Sequence, residues 1–291
     1  MLIRTGFDMC FRTWSPIPTM GLLDVRPEYE SQLRTPQQLT VEPDVPLHRF
    51  VDSFGNICTR LTLPPGDTWL RSDFVVEVPD TPDPVVRDAR WHPVEELPDD
   101  TLIYLMGSRY CEVGKLTTAA WGAANPYVTG WDKVQAVVDL AHRQIQFGYG
   151  FARNDRTAFE GYGEGCGVCR DFAHLAITLC REIHIPARYC TGYLGDIGID
   201  PIDAPMDFSA WFEAYVGGRW HTFDARHNRP RHARIVMARG RDATDTAITT
   251  HFGPAQLLHF HVHTDEVANT DLSRPSAETA LPQYAGKFGG G

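Results

Sequence analysis

Two alternating segments, 207–216 and 219–225, constrain the fold of this 291-residue chain more than any other feature. They flank Gly217-Gly218, a pair suited to a two-residue hairpin turn. Pairing across that turn sets Val216 against Arg219 and Trp211 against Asp224. Side chains alternate along a strand, so Asp207, Ser209, Trp211 and Glu213 share one face. The opposite face, Phe208, Ala210, Phe212, Ala214 and Val216, is wholly apolar and belongs in a core. Asp224 then lies diagonal to position 209, within reach of a side chain there.

Upstream, Ile3, Phe7, Met9 and Phe11 fall on one parity, with Arg4, Asp8 and Arg12 on the other. That is the period of a half-buried strand. Ile57, Leu61 and Leu63, then Phe74, Val76 and Val78, repeat it after the turn signal 52–56, so residues 1–80 read as an antiparallel β domain. Pro79, Pro82, Pro84, Pro93 and Pro98 punctuate a linker with short elements over 81–120. Residues 121–268 form a second, helix-containing domain. Thr129 caps a helix carrying Val134, Val137, Val138, Ala141 and Ile145. A polar loop with Gly161, Gly163, Gly165 and Gly167 leads to a second helix from about Val168 to Ile183, ended by Pro186. Residues 269–291 read as a polar, disordered tail.

The formal net charge of -10 argues against nucleic acid, which needs a basic surface. No apolar stretch approaches the ~20 residues of a spanning helix, and Met1 to Trp14 alternates instead of forming a signal-peptide core. The expectation is a soluble cytoplasmic protein that does not engage a membrane, its oligomeric state left open. The seven cysteines are odd in number and scattered, unlike a disulfide framework.

Cys169 stands apart from the other cysteines. It follows the glycine-rich loop and opens a helix, where unpaired N–H groups and the helix dipole favour a thiolate and can later hold an oxyanion. Gly167 would let a substrate backbone approach closely. A base at position 209, oriented by Asp224, would complete a cysteine–base–acid triad. Position 209 is serine, which cannot act as that base near neutral pH.

Residues 160–227 resemble the transglutaminase-like superfamily of cysteine enzymes. Three pieces carry the likeness: Gly167-Val168-Cys169-Arg170-Asp171-Phe172-Ala173, Ile185-Pro186-Ala187-Arg188-Tyr189-Cys190-Thr191-Gly192-Tyr193, and the strand pair ending in Trp220-His221-Thr222-Phe223-Asp224. The resemblance implies an α+β, papain-like and transglutaminase-like core behind the N-terminal antiparallel β domain. It implies Cys169 as nucleophile and Asp224 as orienting acid, with Ser209 where the family histidine belongs. It further implies acyl transfer from a peptide or protein amide, without a cofactor.

Among the other histidines, His227 ranks first as a replacement base, because the loop after Asp224 can fold it back. His174 sits well around the helix from Cys169 and reads as a packing residue, and His221 has the wrong strand parity. Trp211, Gly167 and Arg226 are candidate substrate contacts; Arg226, Arg229 and Arg231 read either as contacts for an acidic substrate group or as a solvated face. Asp171, in the first turn of the Cys169 helix, reads as structural. Three readings follow: an amide or peptide hydrolase or acyl transferase with an atypical triad; a catalytically inactive peptide-binding module; and a metal-binding protein using His259, His261 and His263, two residues apart on one strand face. That histidine row reads more simply as the exposed side of an edge strand, with Phe260 and Val262 inward.

Overall fold

The computed structural model describes residues 1–200 and 206–268; the expected tail, 269–291, lies outside the described residues. Six strands open the chain: β1 (Leu2–Thr13), β2 (Ile17–Gly21), β3 (Thr40–Glu42), β4 (His48–Val51), β5 (Ile57–Leu63) and β6 (Gly66–Glu77). The linker carries short 3-10 turns at Val94–Glu96 and Asp99–Leu105, and ends at helix α1 (Thr117–Ala124). Helix α2 (Gly130–Gln144) begins where expected, with the Thr129 hydroxyl accepting from the Asp132 N–H at 3.0 Å. Then come β7 (Gln146–Phe147), α3 (Ala158–Glu164), β8 (Cys166–Gly167), α4 (Cys169–Glu182), β9 (Ala187–Tyr193), β10 (Ser209–Val216), β11 (Arg219–Phe223), β12 (Ile235–Gly240), β13 (Thr249–His251) and β14 (Ala255–Val267).

Helix α3 corrects the sequence reading, which made this stretch a loop. The Thr157 hydroxyl accepts from the Glu160 N–H and the Glu160 carboxylate from the Thr157 N–H, a reciprocal cap that starts the helix despite Gly161 and Gly163. Gly165, at φ 67°, ends it in the left-handed conformation.

The strands form sheets in the orders β14-β1-β6-β3, β13-β2-β5-β4 and β11-β10-β9-β12, with a parallel β7-β8 pair beside the last helix. The last strands, 249–267, fell within the second domain of the sequence reading, yet they pair with β1 and β2. On β1, Ile3, Phe7, Met9 and Phe11 are buried. Its polar face is tied to β6, as where Arg12 lies opposite Asp67 and donates to it at 2.6 Å.

The β10–β11 hairpin has the expected register, Val216 against Arg219 through Phe212 against Phe223, and Gly217 and Gly218 take φ of 60° and 81° as the turn requires. Its apolar face packs Ala210, Phe212, Ala214 and Val216 with α1, α2 and α4 in one core. The other face is not open. Trp211 joins Cys190, Leu194 and Val236 in a second cluster, with Tyr29 of the 3-10 segment Pro27–Gln32 packed against it; Phe208, on the apolar side, packs with Tyr193 among the N-terminal strands. Glu28 of that segment pairs with Arg239, so this face is covered too, which is why Trp211 and Glu213 are buried although they share the polar parity. Glu213 tolerates this because Arg188 and Arg239 both pair with it.

Candidate active site

Cys169 is the first residue of α4 and lines a cleft with Tyr149, Leu194, Asp196, Met206, Asp207, Phe208, Ser209, Arg226, His227 and Arg231. The helix start beneath it is braced. Buried Asp171 accepts from the Val168 N–H at 2.8 Å and from Arg156 at 3.0 Å. A Cβ on Gly167 would stand 2.5 Å from that carboxylate, so the glycine makes room for the cap. Gly167 and Trp211, expected to touch substrate, are not among the cleft-lining residues. Trp211 lies beneath the site, with the Arg234 guanidinium 5.0 Å from its ring centre.

The acid and the histidine come together through the loop after β11. The Asp224 carboxylate accepts from the His227 backbone N–H at 2.9 Å and meets His227 Nδ1 at 2.8 Å. Next in the chain, Asn228 takes a positive φ of 50° and donates its backbone N–H to the Asp224 carbonyl at 2.8 Å. Its side chain is clamped to α2, donating to Asp139 at 2.9 Å and accepting from Gln135 at 2.8 Å. His142 of the same helix meets the Ala225 carbonyl at 3.0 Å. This turn folds His227 back into the cleft that holds Cys169.

Sequence reasoning missed Arg234. It donates through Nη2 to Asp224 and through Nε to Asp83, each at 2.8 Å, and its side chain is 6% exposed. Despite burial, its charge and then the His227 contact hold the Asp224 carboxyl well below the usual carboxylate range. Asp83 sits in the proline-rich linker, 151 positions away from Arg234, and no local pattern joins the two. Tyr149 was likewise missed: it belongs to an irregular 3-10 turn without periodicity.

The electrostatics correct the expectation of a thiolate at the helix start. Burial, then the nearby Asp207 carboxylate, pushes the Cys169 thiol up to about 11, against the pull of Arg226 and of the Ala210 and Arg170 N–H groups. Part of Cys169 still faces the cleft, so crowding by the walls, not full enclosure, does this. The resting sulfur is therefore a thiol. Asp207 keeps much of its surface open to solvent, yet the walls push its carboxyl up to about 6.

The remaining candidates have other partners. His174 is fully buried, stacks on Tyr110, and accepts the Ala243 N–H at 3.2 Å; burial lowers it to about 3, so it stays neutral. His221 packs on Trp131. Arg229 is exposed and outside the cleft lining, whereas Arg226 and Arg231 lie within it. On β14, His259 packs against Trp69 and His263 meets Asp73 at 3.1 Å. Among the described residues no group of three or more His, Cys, Asp or Glu is placed to hold a metal ion, so the histidine row does not converge on one. Nor is any described helix long and apolar enough to cross a membrane.

A cysteine at a helix start, facing an antiparallel sheet that supplies an acid, defines a papain-like, transglutaminase-like class of fold. The family model of the transglutaminase-like superfamily matches residues 117–225. The crystal structure of a candidate cysteine protease from Cytophaga hutchinsonii superposes with a TM-score of 0.81 at 30% identity, covering 91% of this chain and 90% of that one. The uncharacterised protein ML0607 of Mycobacterium leprae is 26% identical over 215 residues, 69% of this chain and 74% of its own length. The chain belongs to the transglutaminase-like superfamily.

Proposed function

We propose that the protein is a cysteine-dependent amide or peptide hydrolase whose base is His227, not a residue at position 209. The observation that carries this is the 2.8 Å contact between His227 Nδ1 and Asp224 in a cleft shared with Cys169. An imidazole held through Nδ1 by a carboxylate has Nε2 available to take a proton. As the Cys169 sulfur attacks the amide carbonyl, its proton passes to His227, and then to the departing amine as the C–N bond breaks. The resulting thioester is hydrolysed when His227 takes a proton from water and the C–S bond breaks. The Ala210 and Arg170 N–H groups, both near the sulfur, are candidates to hold the oxyanion. Hydrolysis is preferred to transfer because it needs no protected amine acceptor.

The likeness to a candidate cysteine protease supports a peptide or protein substrate. Ser209 and the raised thiol favour a second reading, a binding module that retains the old cleft. Turnover of a broad peptide-amide panel decides between them. Hydrolysis abolished in Cys169→Ala and reduced about 100-fold or more in His227→Ala supports the enzyme. Trapped peptide without turnover supports the binder.

A further inference from the structure

The mechanism above leaves two cations of the cleft unused. Arg226 lies with its guanidinium 3.8 Å from the centre of the Phe147 ring and beside the Tyr149 hydroxyl, with no carboxylate at ion-pair distance among the described residues. Arg231 is 2% exposed, yet its guanidinium has one carbonyl partner, Gly195 at 2.8 Å, and its Nε has none among the described residues. Arg234, three positions further along, sits instead between two carboxylates. Burying a guanidinium without a directly paired counter-charge is costly, so this wall of the cleft favours an incoming anion. The carboxylates of the site act on the two arginines at longer range, Asp207 on Arg226 and Asp224 and Asp196 on Arg231, and neither guanidinium has a direct ion pair among the described residues.

We propose that Arg226 and Arg231 form a carboxylate-binding subsite beside Cys169, so that the amide processed here belongs to a substrate with a free carboxylate near the scissile bond. This rests on Cys169 being the reactive centre, and it does not depend on which group is the base. A planar guanidinium suits a carboxylate because its N–H groups match the two oxygens. The Phe147 ring face and the Tyr149 hydroxyl fix Arg226 in place, so little side-chain entropy is lost on binding. The carboxylate has two natural sources, a chain terminus or an Asp or Glu side chain, and both present the same group to the two arginines.

Two alkylating agents that differ chiefly in charge test this on the full chain, with mass spectrometry of the Cys169 peptide as readout. Iodoacetate carries a carboxylate and iodoacetamide does not. Their rate ratio at Cys169, divided by the ratio at a small neutral thiol, cancels any change in the thiol's own ionisation. The subsite predicts a normalised ratio raised about tenfold, the worth of one hydrogen bond between charged groups. It falls to that of the free thiol in Arg226→Gln and in Arg231→Gln; Arg226 is the less buried, which keeps the test open should the Arg231 variant not fold. His227→Ala slows both agents and leaves the ratio intact, which separates failure of the base from failure of the subsite. Protection of Cys169 from iodoacetamide by N-acetylalanine assigns a chain-terminal carboxylate, and protection by the α-amide of N-acetylglutamic acid assigns a side-chain one. A ratio equal to that of the free thiol, a raised ratio that survives both arginine substitutions, or protection by neither compound overturns the proposal.

Discussion

Replacing Arg234 with Gln removes the cation that allows Asp224 to stay ionised inside the protein. The two side chains are 6% and 2% exposed and meet at 2.8 Å, so water screens the pair little. Charges about 4 Å apart at an effective dielectric near 20 attract by about 4 kcal/mol, in line with the roughly 3–5 kcal/mol lost when one partner of a buried pair is deleted. The melting temperature is expected to fall by about 10 °C. The pH dependence carries a second signature. A carboxyl held below its ordinary value contributes stability that is present above its unfolded pKa and lost as pH falls through the folded one. Wild type therefore sheds stability below about pH 4. Arg234→Gln has already forfeited most of that contribution, so its acid limb is flatter. Arg234→Lys keeps the charge and gives up part of the fork, and lies between. Urea titrations of the three proteins from pH 7 to pH 3 measure both effects. A loss under about 1 kcal/mol with an unchanged acid limb would refute the view that Arg234 sustains the acid of the site.

Three further outcomes follow from the same geometry. Ser209→His alone changes turnover little, because His227 and Arg234 already occupy the Asp224 carboxylate, but in a His227→Ala background it restores amide hydrolysis; no rescue in the double variant would place position 209 outside the reacting geometry. Asp207→Asn removes a like charge from the thiol's surroundings, so the apparent pKa of Cys169 falls and its alkylation at pH 8 rises about threefold; a slower reaction would reverse the assigned sign. Gly167→Ala drives a Cβ into the Asp171 carboxylate and costs about 2 kcal/mol by thermal unfolding, and an unchanged melting temperature would show that the α4 cap has slack.

The parts legible in the sequence are those written by local rules. The Gly217-Gly218 turn fixed the hairpin register. Helical spacing and the Thr129 cap located α2, and parity sorted β1 into its two faces. Cys169 was legible because a glycine-rich segment and an apolar helical pattern meet at it. What stayed hidden was written by packing. Nothing in 207–216 reveals that the segment Pro27–Gln32, through Tyr29, covers its polar face, so Trp211 looked like a cleft residue and is a core one. The ion pairs of Arg234 join the proline-rich linker to the loop after β11 across the whole domain. Thr157 and Glu160 did carry a readable signal, a capping box, which the surrounding glycines obscured. The thiol expectation failed on magnitude: a helix start favours thiolate modestly, and here burial and the Asp207 charge outweigh it.

The central claim is that His227 activates Cys169 from outside the family histidine position. The rate of Cys169 alkylation by iodoacetamide from pH 5 to pH 11, in wild type and in folded His227→Ala, tests it most directly, with Cys169→Ala to assign the signal. Wild type is predicted to react much faster near neutral pH, and the two profiles to converge at high pH, where the buried thiol ionises unaided. Superimposable profiles across the whole range would contradict the account.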